Sequence, residues 1–154
     1  MSKLFAIETG NENPILRKKS KKIKVIDLQI KKLANTMLQT MVVNKGVGLA
    51  APQIGQNIRL FIMRYMVDED KLMYVAIINP EILNISREDV IREEGCLSLP
   101  NIWKKTVRPK WIEIKFQDLS GNVQIWKLRD LNARVALHET DHLDGILFID
   151  RAIE

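Results

Sequence analysis

Ile30, Leu33, Ala34, Met37 and Met41 recur at the three-and-four spacing of one helical face. Asp27 stands ahead of them as an N-cap, and Asn44-Lys45-Gly46 ends the pattern. This predicts a first long helix whose stripe is core packing rather than a ligand site. Before it, Asn13-Pro14-Ile15-Leu16-Arg17 reads as a turn entering a short ordered segment. Further on the pattern turns strand-like at 59–63, 72–78, near 81–85 and around 89–91. Segments 111–116 and 123–128, joined through Asp118-Leu119-Ser120-Gly121, predict a β-hairpin. Asp130 then reads as the N-cap of a final helix and Gly145 as its stop. Leu131, Arg134 or Val135, His138 and His142 share one face of that helix. The expected fold class is α+β: mostly antiparallel β-sheets around the histidine-bearing helix, with a second, N-terminal helix.

Size and composition narrow the setting. The 154 residues suit a single domain, 1–154, with one sizeable core. An apolar fraction of 46% and a charged fraction of 28% are ordinary for a globular protein. No apolar run reaches the roughly 18 residues of a membrane-spanning helix. Met1-Ser2-Lys3-Leu4-Phe5-Ala6-Ile7-Glu8 is interrupted by charge too early for a signal peptide. One cysteine allows no internal disulfide, as expected of a reducing cytoplasm. Net charge is +5, and six of the eight residues in 17–24 are basic. With no aromatics interleaved for base stacking, that run reads first as a solvated loop, and second as a patch for a polyanion such as ribosomal RNA.

Both histidines of the chain, His138 and His142, lie four residues apart, which puts both imidazoles on one helical face and within reach of one metal ion. Glu139 follows the first, where an H-E-x-x-H helix carries its general acid/base. The blander alternative is a polar surface helix with two unrelated histidines. A catalytic metal usually takes three protein ligands. The twelve residues after His142 hold no histidine and only Asp144, Asp150 and Glu154 as carboxylates, so the third ligand is expected upstream. Cys96, the lone cysteine, is the natural candidate beside two imidazoles. A buried structural cysteine and a nucleophilic Cys-His pair are the competing readings. The stretch 46–55, GVGLAAPQIG, lacks the second half of a dinucleotide fingerprint and a Walker lysine. It reads instead as a tight turn that delivers Gln53, whose amide can donate a hydrogen bond.

Three blocks in this order, GVGLAAPQIG (46–55), EGCLSLP (94–100) and HETDHLDG (138–145), resemble the three motifs of peptide deformylases. The resemblance extends through Asn13-Pro14-Ile15-Leu16-Arg17, Ile78-Asn79-Pro80 and Leu147-Phe148-Ile149-Asp150, so it covers nearly the whole chain. It implies a metal-dependent hydrolase that removes the formyl group from N-formylmethionine of nascent peptides and releases formate. By the same resemblance, Cys96, His138 and His142 bind one divalent metal, Fe2+ physiologically, with Zn2+, Ni2+ or Co2+ able to substitute. Glu139 would take a proton from the metal-bound water and pass it to the leaving amine. Gln53 and the backbone N–H of Leu97 would stabilise the oxyanion. Val47, Gly48, Leu97, Glu94 and His138 would contact the substrate, Gly48 through strand-like backbone pairing.

Two positions depart from the family pattern. Leu137 stands where glutamine is usual, and Asp130 where glycine is common. Neither is a ligand or the base, so tuning rather than loss is expected. The given chain also ends at Glu154, without the C-terminal helical extension many members use to dock on the ribosome. This corresponds to a compact form, found in bacteria and in bacteriophages. The expected partners are formylated nascent peptides and, weakly, the ribosome. No membrane, no specific nucleic acid and a monomer in the bacterial or host cytoplasm complete the expectation. A zinc endopeptidase and a catalytically silent peptide-binding homologue are the alternatives.

Overall fold

Every pairing between the strands of this protein is antiparallel. The computed structural model describes residues 4–153. Met1, Ser2 and Lys3, part of the segment tested as a leader, and Glu154, counted among the late carboxylates, lie outside the described residues. The elements in order are α1 (Pro14–Arg17), α2 (Leu28–Val43), β1 (Gly48–Ala50), β2 (Leu60–Met66), β3 (Leu72–Ile85), β4 (Asp89–Cys96), β5 (Leu99–Pro109), β6 (Trp111–Gln117), β7 (Val123–Arg129) and α3 (Asp130–Leu143). Single 3₁₀ turns follow β1 at Ala51–Ile54 and close the described chain at Phe148–Arg151. Strands β1-β2-β3-β6-β7, in that order, form one sheet, and β4-β5 forms a separate two-stranded one. The fold class is α+β, as the pattern of elements predicts.

The long sheet is buried on both faces at its β1-β2 end. Leu60 and Ile62 pack with Met37, Met41, Leu49 and Ile78 under α2, while Phe61 and Met63 pack with Ile77, Ile114, Phe116 and Ala136 under α3. Successive strand residues point to opposite faces, so a strand covered on both sides reads as an unbroken apolar run. Leu60-Phe61-Ile62-Met63 is that run, and the strand expected at 59–63 extends to Met66. Asp27 caps α2 as expected, its Oδ1 accepting from the Ile30 N–H at 3.0 Å.

Four expectations need correction. Segments 72–78 and 81–85 are one strand, β3, interrupted by a register shift where Asn79 adopts φ +51. Proline and left-handed backbone mark a bulge rather than an end. The expected strand at 89–91 runs on to Cys96, and its partner β5 was not anticipated at all. Gly48-Leu49-Ala50, read as loop, is the short strand β1. Finally, Asp130 does not cap α3. The N-cap is Arg129, without a side-chain hydrogen bond, and Asp130 is the first helical residue at φ +53. That left-handed backbone explains why a glycine is common there. Asp is among the few other side chains that tolerate it.

Candidate metal centre

Helix α3 lies between the long sheet and the β4-β5 hairpin. Ala133, Ala136 and Leu143 face the sheet core, while Arg134, His138 and Asp141 meet the hairpin through hydrogen bonds. The two histidine rings sit one turn apart with centroids 5.1 Å from each other. Cys96 is brought to them from the end of β4. The register of β4 on β5 shifts between Glu94 and Cys96, and Cys96 then pairs with Leu99 across the tight turn Leu97-Ser98. Its Sγ lies 3.3 Å from His142 Nε2. The sulfur and one nitrogen from each ring all fall within 4.8 Å of one another. One thiolate and two imidazoles in such a cluster suit a divalent transition metal.

The outer ring of this cluster rests on Glu94. His138 Nδ1 donates to Glu94 Oε1 at 2.9 Å, which fixes the ring and leaves Nε2 for the cluster. Glu94 in turn accepts from Arg108 at 2.9 and 3.0 Å, from Arg134 at 2.6 Å and from Thr106 at 2.5 Å. Burial alone would raise this carboxyl, but the hydrogen bonds from His138 and Arg108 overcome it and hold Glu94 far below the ordinary carboxylate range. At His138 burial opposes an imidazolium, yet Cys96 and Glu94 lift the group to about 10. A cation at the cluster competes with that proton for the same ring. Burial drives His142 the other way, well below its ordinary value, and its Nδ1 has no partner among the described residues. The two imidazoles are thus held unequally.

Glu139 is buried, with Oε2 unpartnered among the described residues, and burial pushes it up to about 7. Its carboxylate packs on the backbone of β1: a Cβ at Gly48 would come within 2.5 Å of Glu139 Oε1. Only glycine leaves room for that side chain. Gln53 occupies the 3₁₀ turn after β1, its Oε1 accepting from the Ala50 N–H at 2.9 Å and its Nε2 donating to Ser98 Oγ at 3.1 Å. The same Nε2 lies 3.6 Å from Cys96 Sγ. A cleft of 520 Å³ opens in front of these groups, lined by Val47, Gly48, Leu97, Trp103, Leu131 and Val135 among others.

Every site residue predicted from sequence lines this cleft except His142, which is buried. Glu94, expected to touch substrate, spends its carboxylate on four side chains. What sequence reading missed is the polar layer of Arg108, Asp141 and Thr106, whose partners lie 10 to 33 residues away. The one available signal was Arg134, already placed on the histidine face. Leu137, the other departure, is partly buried against the core cluster under α3.

The chain is similar to known proteins along nearly its whole length. A peptide deformylase of Dictyoglomus thermophilum is 44% identical over 142 residues, covering 92% of this chain and 89% of its own. The crystal structure of peptide deformylase from Thermotoga maritima superposes with a TM-score of 0.92 at 41% identity, over 99% of this chain and 100% of that one. A class I type b peptide deformylase of Acinetobacter baumannii, solved with Met-Ala-Ser bound, gives 0.91 at 32% identity, over 98% and 99%. None of these relatives supports the endopeptidase or silent-module alternatives. The family model for polypeptide deformylase matches residues 7–154, so the chain belongs to that metal-dependent family and removes the N-formyl group from nascent peptides.

Proposed function

We propose that Cys96, His138 and His142 hold one divalent cation, ferrous iron physiologically, with zinc, nickel or cobalt able to replace it. The convergence of the Cys96 sulfur and both imidazoles within 4.8 Å, beside an unpartnered oxygen of Glu139, carries this reading. A cation held there supplies Lewis acidity, which makes water nucleophilic at neutral pH and polarises a carbonyl. Glu139 Oε2 takes the proton of the attacking water and returns it to the departing amine. The Gln53 amide, anchored at Ala50 and Ser98, donates to the developing oxyanion together with the Leu97 N–H. Its neutrality lets it do so without repelling the cation.

The substrate enters as an added strand. Among the described residues β1 pairs only with β2, leaving its other edge open beside the cleft, so backbone groups of Gly48 can pair with an extended peptide. We assign the cleft to a formylated peptide headed by methionine, in keeping with the Met-Ala-Ser held by the Acinetobacter baumannii neighbour. Residues 1–154 act as one catalytic domain and a monomer in the bacterial or host cytoplasm. Among the described residues no helix is long and apolar enough to cross a membrane. The exposed Lys18, Lys19, Lys21, Lys22 and Lys24 give weak, salt-sensitive attraction to the ribosome.

Formate release from formyl-Met-Ala-Ser by the anaerobic, iron-loaded protein, together with elemental analysis of Cys96→Ala, tests the assignment. The variant is expected to lose both metal and turnover. Undiminished metal in Cys96→Ala would remove the cysteine from the ligand set.

A further inference from the structure

The charged layer behind His138 does not stop at Arg108. Arg108 Nη1 donates to Asp141 Oδ2 at 2.7 Å while its Nε and Nη2 fork onto Glu94. Asp141 then accepts from Arg151, at 3.1 Å from Nε and 2.9 Å from Nη2. Charges alternate along the whole line, from Arg151 through Asp141, Arg108 and Glu94 to His138. Side-chain exposure falls from 47% at Arg151 to 11% at Asp141 and 4% at Arg108. The inner members are locked by burial, and only Arg151 reaches solvent. The same C-terminal turn touches His138 a second way, because the Phe148 ring stacks on the imidazole with centroids 6.0 Å apart and planes 21° from parallel.

We propose that Arg151 is a positioning residue for the metal centre, acting through Asp141, Arg108 and Glu94 on the orientation of His138. Bidentate binding by Arg151 fixes both oxygens of Asp141, and Asp141 Oδ2 fixes the third nitrogen of the Arg108 fork. With Arg151 gone, one Asp141 oxygen loses its partner. The carboxylate then turns to share its remaining cation. Arg108 follows, and the plane against which Glu94 holds His138 Nδ1 loosens. The inference rests on the ligand assignment above and extends it to a residue that touches neither metal nor substrate.

Arg17 supplies the control. It clamps the same turn through Asp150, at 2.5 Å, but among the described residues it donates no hydrogen bond to any member of the charged line. The full chain is loaded anaerobically with Co2+, and affinity is measured by chelator competition. The ligand-field spectrum and the thermal midpoint are read alongside. Arg151→Gln is expected to weaken Co2+ several-fold and shift the ligand-field bands. That loss is smaller than the roughly 10- to 100-fold that follows removal of a ligand's direct partner. Arg151→Lys restores part of both, while Arg17→Gln lowers the thermal midpoint and leaves affinity and spectrum unchanged. Parent-like affinity and spectrum in Arg151→Gln would overturn the proposal. So would equal shifts in Arg17→Gln, which would reduce the effect to tethering of the tail. A parent spectrum without thiolate-to-cobalt charge transfer would instead strike the ligand assignment itself.

Discussion

The two sheets of this protein bury opposite chemistry. In the five-stranded sheet the inward side chains of β6 are Ile112, Ile114 and Phe116, and Glu113 and Lys115 alternate with them on the other face. In the β4-β5 hairpin the buried positions beyond the apolar Leu99 at the turn are Glu94, Thr106 and Arg108, while Ile91 is 57% and Trp103 65% exposed. Both arrangements close against α3. The sheet works by removing apolar area from water, at roughly 25 cal/mol per Å² and without direction. The hairpin works by directed, charge-assisted hydrogen bonds, which contribute little net stability but fix angles. A metal ligand needs an angle, and it hangs from the polar sheet.

The contrast sharpens most at Glu139, on the helix both sheets share. Glu139→Gln is expected to keep its metal and its thermal midpoint while turnover of formyl-Met peptides falls about 10²- to 10⁴-fold. Turnover near the parent rate would show that the proton passes elsewhere. Next come two substitutions of similar cost on the two sides. Phe61→Ala empties a fully buried site under α3 and should cost about 3–5 kcal/mol. Arg108→Met removes the buried guanidinium that Glu94 and Asp141 share and should cost about 3–5 kcal/mol as well. Metal content per folded molecule separates them: retained in the first, largely lost in the second. If urea unfolding and elemental analysis found both variants metal-replete, the division of labour would fail.

Thr106→Val probes the hairpin more gently. It removes the hydroxyl between Glu94 and Arg134, keeps the shape, and should cost about 1 kcal/mol, with cobalt affinity falling more than stability. The smallest effect lies at the rim. Arg17 holds the Asp150 carboxyl below its ordinary value, so the pair contributes fully above pH 3.8 and its contribution disappears as pH falls through the lowered folded value. Asp150 is 40% exposed, which screens the gain. The parent should therefore exceed Asp150→Asn in urea midpoint by a small margin at pH 6, a margin that closes under strong acid. A margin independent of pH would assign it to the backbone of the turn.

The same contrast explains what was legible. Strands β2, β6 and β7 announce themselves because their buried positions are apolar, and the stripe of α2 does so for the same reason. β5 was invisible because, past Leu99 at its start, its inward positions are Thr106 and Arg108, so the alternation that marks a half-buried strand is reversed. β1 is three residues long, too short to show a period. At the site, the proposed ligands and Glu139 were readable as candidates from spacing and residue type, since i and i+4 fix two rings on one face. Gln53 was readable as an amide in a tight turn. Asp141, Arg108 and Arg151 meet only through tertiary pairing of side chains 10 to 33 positions apart, and no spacing rule encodes that.

The helix that carries both histidines ends against the other end of the chain. Gly145, at φ +74, lies so close to the Arg17 backbone that a Cβ would come within 2.4 Å of its carbonyl oxygen. Arg17 also reaches Asp150 across a separation of 133 residues. During synthesis the Arg17 segment therefore waits for the turn beyond Gly145, even though the histidine helix already has its seat on the sheet core. Loop closure over that distance is slow compared with forming the hairpins between. The end of the histidine helix is thus set by a long-range contact that forms after the local hairpins.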